Sequence, residues 1–406
     1  MSRKLNLELL APAGDLSKLK YAYAYGADAV YLGLPDFSLR AKTGFDLLTL
    51  REGIGYAHQL KKKVYVTVNI FAHNKQIDLL PRFLKHISKI RPDAIILSDP
   101  GVLQLVKKYL PKIAIHLSTQ ANTLNYEAVK FWQKNGVKRI ILGREATLED
   151  IREIHHQAPK MELEIFVHGA MCMSYSGRCY LSAWLNNRSA NEGSCTQPCR
   201  WNYKLYMEEP LRPGVMIPLE EDEKGIYILN SKDLCLIDYL AELKKAGVVS
   251  IKIEGRTKSH YYVAVVSKAY RLALDNLNNK AKLKSAKIEL QKIDNRGYTT
   301  GFLLGNEGIK RQEFKTSKQV SDWQFVGEVI EVKSKTIYFK PHNMLRAGDE
   351  LELLTPKDCY RIRVKEFVNS KGEKLSEVHG GTQEIYSFEL SRKIKIDWGI
   401  IRKKQI

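Results

Sequence analysis

Short, nearly continuous apolar runs alternate with helix-period segments through the first 260 residues. The runs are Leu7–Ala11, Ala29–Gly33, Val64–Asn69, Ala94–Ser98, Ile113–Ser118, Arg139–Gly143, Leu163–Gly169, Ile226–Asn230 and Ser250–Gly255. Their length and unbroken apolar character predict strands buried on both faces. Asp15–Tyr25, Thr49–Lys62, Leu79–Lys89, Tyr126–Asn135 and Thr147–His156 lie between them with the spacing of helices. A repeat of about 20–30 residues is that of successive βα units. The pattern predicts an α/β fold, a (β/α)8 TIM-like barrel, with a doubly wound open sheet as the alternative. Nine candidate strands are one more than the barrel needs. Polar residues follow nearly every run, as the rim of a barrel requires. Arg200–Gly225 breaks the rhythm with Pro210, Pro213 and Pro218 and reads as an inserted hairpin or small sheet. Ile226–Asn230 belongs either to that insertion or to the barrel.

Beyond Gly255 the period changes. An amphipathic helix is expected over about Ser259–Asn276, then a charged helix to about Lys292, then the extended segment Asn295–Gly305. From Gln324 the residues alternate in Val326–Val332, Thr336–Phe339, Glu350–Leu354, Tyr360–Phe367, Ile385–Glu389 and Ile394–Asp397, with turn residues between. Short strands at this spacing predict a small antiparallel β-barrel of roughly 80 residues. The domains are therefore 1–310, a βα-barrel catalytic domain with a Cys-rich insertion around 170–225, and 324–406, a C-terminal β-barrel.

Of the 406 residues, 44% are hydrophobic and 27% charged, enough apolar material for a packed core. No run approaches the ~20 residues of a membrane span. The opening MSRKLNLELLAPAGD lacks the apolar core of a secretory signal, so a cytoplasmic protein without membrane contact is expected. Lys+Arg number 65 against 45 Asp+Glu, a formal net charge of +20, which points to a polyanion and above all to nucleic acid. Lys310, Arg311, Lys315 and Lys318, with Arg402, Lys403 and Lys404, read as a rim that tracks phosphates.

Four of the six cysteines fall between Cys172 and Cys199. In a long chain without a disulfide framework, such clustering points to metal or redox chemistry. Cys172 follows the run Leu163–Gly169, and Cys235 follows Ile226–Asn230, which puts both at the carboxyl ends of predicted strands. The spacing C-x6-C, x15, C-x3-C is not that of a zinc ribbon. Iron–sulfur clusters accept four thiolates at varied spacing; zinc is the alternative. Cys359 lies apart in the β-domain and is excluded. Neither a G-x-S-x-G elbow nor an H-E-x-x-H helix is present.

The segment Glu164-Ile-Phe166-Val-His168-Gly169-Ala-Met-Cys172-x4-Gly177-x-Cys179-x-Leu181-Ser182 resembles the signature of the collagenase-like peptidase family, the U-type family numbered thirty-two. ELLAPAG (Glu8–Gly14), GADAVYLG (Gly26–Gly33), HLSTQAN (His116–Asn122) and IKIEGR (Ile251–Arg256) match it as well, so the resemblance spans essentially the whole chain. Within the family the chain looks most like the prephenate-dependent tRNA uridine hydroxylase branch. That resemblance implies hydroxylation of the wobble uridine of tRNA to 5-hydroxyuridine, prephenate as hydroxyl donor, and a 4Fe–4S cluster. The implied ligands are Cys172, Cys179, Cys195 and Cys235, with Cys199 a rival for the third or fourth place. The family label itself implies a collagenase-like peptidase, and a third reading is an RNA-binding protein with structural zinc.

Further polar residues stand at predicted strand ends. The candidates for catalysis are His168, Glu254, Arg256 and Gln120; those for cofactor or co-substrate binding are Arg40, Asn69, His116 and Lys252. Arg256 or Lys252 suits a small-molecule carboxylate such as prephenate, and Arg40 suits an anion. Glu254 with Arg256 reads equally as a rim ion pair. Gln120 and Asn122 offer hydrogen bonds to a uracil edge, and Arg144 has the same status. Glu8, inside the first strand, must be paired. The expected partners are tRNA and the carboxylate co-substrate; a possible partner protein is not identified.

Overall fold

The protein is described from a computed structural model covering residues 7–39, 44–172, 174–201, 231–305 and 321–405, and 203–219 in part. It divides into two units, residues 1–19, 28–258 and 295–319, and residues 20–27, 259–294 and 320–406. Arg40, Lys310, Arg311, Lys315 and Lys318, and the candidate strand Ile226–Asn230, lie outside the described residues.

The first unit is a closed parallel barrel. Seven strands follow in order: β1 Glu8–Pro12, β2 Ala29–Gly33, β3 Lys63–Val68, β4 Ala94–Leu97, β5 Ala114–Leu117, β6 Arg139–Ile141 and β7 Glu162–Ala170. An inserted antiparallel hairpin pairs β8 Leu205–Glu208 with β9 Met216–Leu219, as the proline-rich stretch predicts. β10 is Asp233–Cys235, β11 Val248–Ile253 and β12 Tyr298–Thr299. β11 pairs in parallel with both β1 and β7, so the eighth barrel strand is β11 and the ring closes without Ile226–Asn230. The barrel reading holds over the open sheet because a sheet open at its edges would leave β1 or β7 unpaired on one side.

Helix starts explain the rhythm between strands. Asp46, Asp99, Asn125 and Thr147 each cap the backbone N–H three residues on, and their helices run Leu47–Gln59, Pro100–Tyr109, Tyr126–Lys134 and Leu148–Gln157. One helix begins earlier than its apolar period implies, at Asn74 rather than Leu79, because the Gln76 side chain accepts the His73 N–H at 3.1 Å and closes the first turn there, with Pro81 inside the helix.

A short side sheet corrects the placing of Cys235. β10 runs antiparallel to β7, with Asp233 opposite Ala170 and Cys235 opposite His168, and β12 pairs with β10. Cys235 therefore lies on a returning strand, level with His168 near the carboxyl end of β7, and does not itself end a parallel barrel strand.

The second unit contains the helices His260–Asp275 and Lys280–Leu290 and an eight-stranded antiparallel sheet. Its core gathers Val326, Phe339, Leu353, Phe367, Phe388 and Ile401. The sheet is curled, and its end strands Cys359–Arg363 and Lys374–Leu375 do not pair with each other among the described residues. The expected strand Ile394–Asp397 is absent; Ile400–Lys404 takes a central place instead, between Trp323–Lys333 and Glu350–Leu354. Ile400, Ile401 and Arg402 are all fully buried, so this strand is covered on both faces and shows no alternation. Burial removes Arg402 from the expected phosphate rim, and an ion pair engages the half-buried Lys403. Arg402 pairs with Glu289 at 2.8 Å and Glu352 at 2.7 Å, and Lys403 with Asp349 at 2.9 Å.

Candidate active site at the mouth of the barrel

The barrel interior is polar from floor to rim. On the floor Arg139 bridges Glu8 at 2.5 Å, Glu164 at 3.1 Å and Glu162 at 2.9 Å. Tyr65 and Ser250 donate hydroxyls to Glu8 at 2.8 and 3.1 Å. Burial alone would push the Glu8 carboxyl up, but the Arg139 guanidinium and its hydrogen bond outweigh this and hold it below the usual range. Above the floor, Lys252 lies 3.3 Å from Glu164 and over the rings of Tyr31 and Phe166. Burial lowers its ammonium below the ordinary lysine range, against the pull of Glu164. His116 packs edge-on against Tyr65, and burial, with the charges of Arg139 and Lys252, keeps it neutral. The structure thus places Lys252 and His116 inside the barrel, below the rim.

The rim carries the remaining candidates. Arg256, just past β11, donates to the hydroxyls of Ser38 at 3.2 Å and Thr67 at 3.1 Å. A Cβ at Gly33 would overlap both Thr67 Oγ1 and the Arg256 guanidinium, which accounts for a glycine at the end of GADAVYLG. Glu254 pairs with Arg144 at 3.2 Å, and Arg144 lies over the Phe166 ring. Asn69 Nδ2 donates to Ser118 Oγ at 3.3 Å and to Gln120 Oε1 at 3.2 Å, and the Ser118 hydroxyl also donates to Gln120 Oε1. Asn69 Oδ1 is buried with no hydrogen-bond partner. Asn122 instead accepts the Ser176 hydroxyl at 2.7 Å and fastens the loop after β7. His168 is buried beside the Tyr298 ring, and desolvation, then the charge of Lys258, push its imidazole down to about 3.

The Cys-rich loop is tied onto these strand ends. Ser176 N donates to Glu145 at 2.6 Å, Arg178 Nε to the Gln120 carbonyl at 2.8 Å, and Arg200 to the Met171 carbonyl at 3.1 Å. The last bond brings Cys199 back toward Cys172. Burial pushes the Cys199 thiol up; Arg200 opposes this, and Cys172, Cys195 and Cys179 add to it as neighbours. Four thiols of one loop therefore share a neighbourhood, while Cys235 stands opposite His168 and acts on Tyr298. Among the described residues no three His, Cys, Asp or Glu side chains converge on a point that would hold a single ion. A cavity opens beside Cys172, between Glu145, Tyr175, Lys232, Thr299 and Phe302.

Sequence reasoning missed two parts of this site. Asp233 and Arg296 form a buried ion pair under the cavity, and Arg296 also donates to the Ser231 carbonyl at 3.1 Å. Only an acid in NSKDLC and a base in NRGYTTG hinted at it, some sixty residues apart in sequence. Arg139 was visible as a strand residue, but not as the partner of Glu8, 131 residues away.

A family model described as Peptidase family U32 matches residues 14–313, and one described as its C-terminal domain matches 321–402. The chain belongs to peptidase family U32. The resemblance carried by the signature residues is thus shown. One U32 relative, tRNA hydroxylation protein P of Escherichia coli, is 43% identical over 409 residues, covering 91% of this chain and 90% of that protein. A 23S rRNA 5-hydroxycytidine synthase of the same organism is 34% identical, covering 90% of this chain and 55% of that protein. A collagenase of Porphyromonas gingivalis is 30% identical, covering 91% and 94%. Among the described residues of this U32 chain, no helix is long and apolar enough to cross a membrane.

Proposed function

We propose that the chain is an RNA-hydroxylating enzyme that converts the wobble uridine of tRNA to 5-hydroxyuridine, with prephenate as hydroxyl donor and a 4Fe–4S cluster as resident group. The observation that carries this reading is the thiol loop at the mouth of a polar barrel, in a chain 43% identical over 91% of its length to a tRNA hydroxylation protein. The donor set fits an iron–sulfur group: Cys172, Cys179 and Cys195 lie in one loop with Cys199, and Cys235 is the second contender for the fourth position. When bound, such a cluster supplies electron transfer.

The chain's own residues supply recognition. Arg256, held by Ser38 and Thr67, presents a guanidinium suited to a carboxylate. Gln120 has its Oε1 engaged, which leaves the amide nitrogen as donor for a uracil carbonyl. Asn69 Oδ1, buried and unpartnered, is the matching acceptor for uracil N3–H. His168 stays neutral near pH 7 and adds no charge beside the base. The collagenase relative supports a peptidase reading less well. A cysteine peptidase needs an imidazole beside its nucleophile, whereas the Cys172 thiol meets the Ser174 hydroxyl at 2.8 Å.

Mass spectrometry of tRNA nucleosides from cells lacking the chain tests the function. Loss of wobble 5-hydroxyuridine and its derivatives is expected, with restoration by the wild-type chain. Unchanged nucleosides in cells lacking any second uridine hydroxylase would overturn it.

A further inference from the structure

Large apolar side chains are exposed around the thiol loop. Trp184 is 76% exposed, Tyr180 72% and Tyr175 54%, and Trp201 is also open to solvent. The short helix Leu181–Asn186 is anchored by its other face: Thr196 N donates to Ser182 Oγ at 3.0 Å, and Asn186 Nδ2 to Thr196 Oγ1 at 3.0 Å. With that side docked, Tyr180 and Trp184, four residues apart, stand next to each other on the open side. Tyr175 also lines the cavity beside Cys172, so the aromatic surface adjoins the proposed reaction site.

Isolated exposed apolar residues need no explanation, but four exposed aromatics in one loop, one of them lining a cavity, mark an interaction surface. Its charge indicates the partner. Between Ser174 and Trp201 the ionised residues are Arg178, Arg188, Arg200 and Glu192, and Glu192 already faces His73 at 3.2 Å. Aromatic rings interleaved with arginines suit unstacked nucleotides: the rings take base faces and the guanidiniums take phosphates. A paired stem hides its base faces and gains nothing from such rings.

We propose that Tyr180 and Trp184, with Tyr175 and Trp201, form a stacking platform for the unpaired loop nucleotides that flank the modified base of a structured RNA. The proposal rests on the RNA reading above and adds how the loop is held. The target base must leave its stack to reach a barrel mouth, and its displaced neighbours find new stacking partners on this surface.

The test uses full-length protein purified with its iron. Two labelled probes are compared, an anticodon stem-loop RNA and a blunt RNA duplex of equal length. Wild type is expected to prefer the stem-loop. The variant Tyr180→Ala/Trp184→Ala should weaken stem-loop binding by about ten- to a hundredfold, since one stacked base is worth roughly tenfold. Its duplex affinity and salt dependence should stay put, because no phosphate contact is removed. The variant Tyr180→Phe/Trp184→Phe, which keeps aromatic faces, should bind nearly as wild type. Equal stem-loop affinity in the alanine variant, beside tight wild-type binding, would overturn the platform and leave the RNA reading standing. Failure of wild type to bind either RNA would overturn both. Unchanged RNA binding with loss of a co-purifying protein would assign the surface to a protein partner and overturn the platform.

Discussion

Replacing Arg139 by glutamine removes the one cation that joins Glu8, Glu162 and Glu164 on the barrel floor. Glu164 is fully buried and Glu8 nearly so, so neither regains full hydration when the guanidinium goes. Lys252 remains for Glu164, and Tyr65, Ser250 and the exposed Lys63 for Glu8. Breaking a buried pair from one side costs about 3–5 kcal/mol. For a unit of this size that is a fall of roughly 5–9 °C in Tm. The response to pH gives a second, sharper reading. In the wild type the Glu8 carboxyl lies below its unfolded value, so its contribution is present above about pH 4.5 and is lost as pH falls further. In Arg139→Gln the cation is gone, burial dominates, and the folded-state Glu8 rises above its unfolded value. The deficit of the variant relative to wild type should then shrink as pH drops from 7 to 5, because protonation of Glu8 relieves the stranded charge in the variant alone. Thermal unfolding followed by circular dichroism at both pH values measures this, with Glu8→Gln/Arg139→Gln as the control that removes the stranded charge. A variant with wild-type Tm, or one whose deficit grows on acidification to pH 5, would refute the account of the floor.

Cysteine variants decide the ligand set: Cys172→Ser or Cys179→Ser should lose iron and tRNA hydroxylation together, and Cys359→Ser should lose neither. Between Cys199→Ser and Cys235→Ser, the one that loses iron in anaerobically purified protein names the fourth thiolate; retention of iron and activity in both would end the four-thiolate assignment. Arg402→Met leaves Glu352 and Glu289 to Lys292 alone and should destabilise the second unit by up to about 3 kcal/mol, seen as an earlier transition for that unit with iron content unchanged. His116 is neutral when folded and titrates near 6.5 when unfolded, so it makes stability fall by up to about 1.4 kcal/mol per pH unit below 6.5. His116→Leu should flatten the slope between pH 6.5 and 5, and an unchanged slope would count against the burial of a neutral ring.

The barrel was legible because its strands are local. The barrel strands span only three to nine residues each, and buried parallel strands show as short apolar runs directly. The signature around Cys172 was equally local, since the thiols of one loop lie within 28 residues and are visible without knowing what they touch. Sequence alone therefore determined the fold class, the family and the chemical character of the loop. Direction and depth were decided only by tertiary structure. Cys235 follows an apolar run just as Cys172 does, yet β10 runs against β7 and carries it back to the level of His168. Arg402 sits in a basic tail that reads as solvated, yet it is the least exposed arginine in the second unit because helix and sheet close over it with Glu289 and Glu352. Glu8 in a strand announced a partner, but Arg139 is 131 residues away. Burial and ion pairing are properties of what arrives from elsewhere in the chain, and a charged residue carries the same symbol in water and in a core.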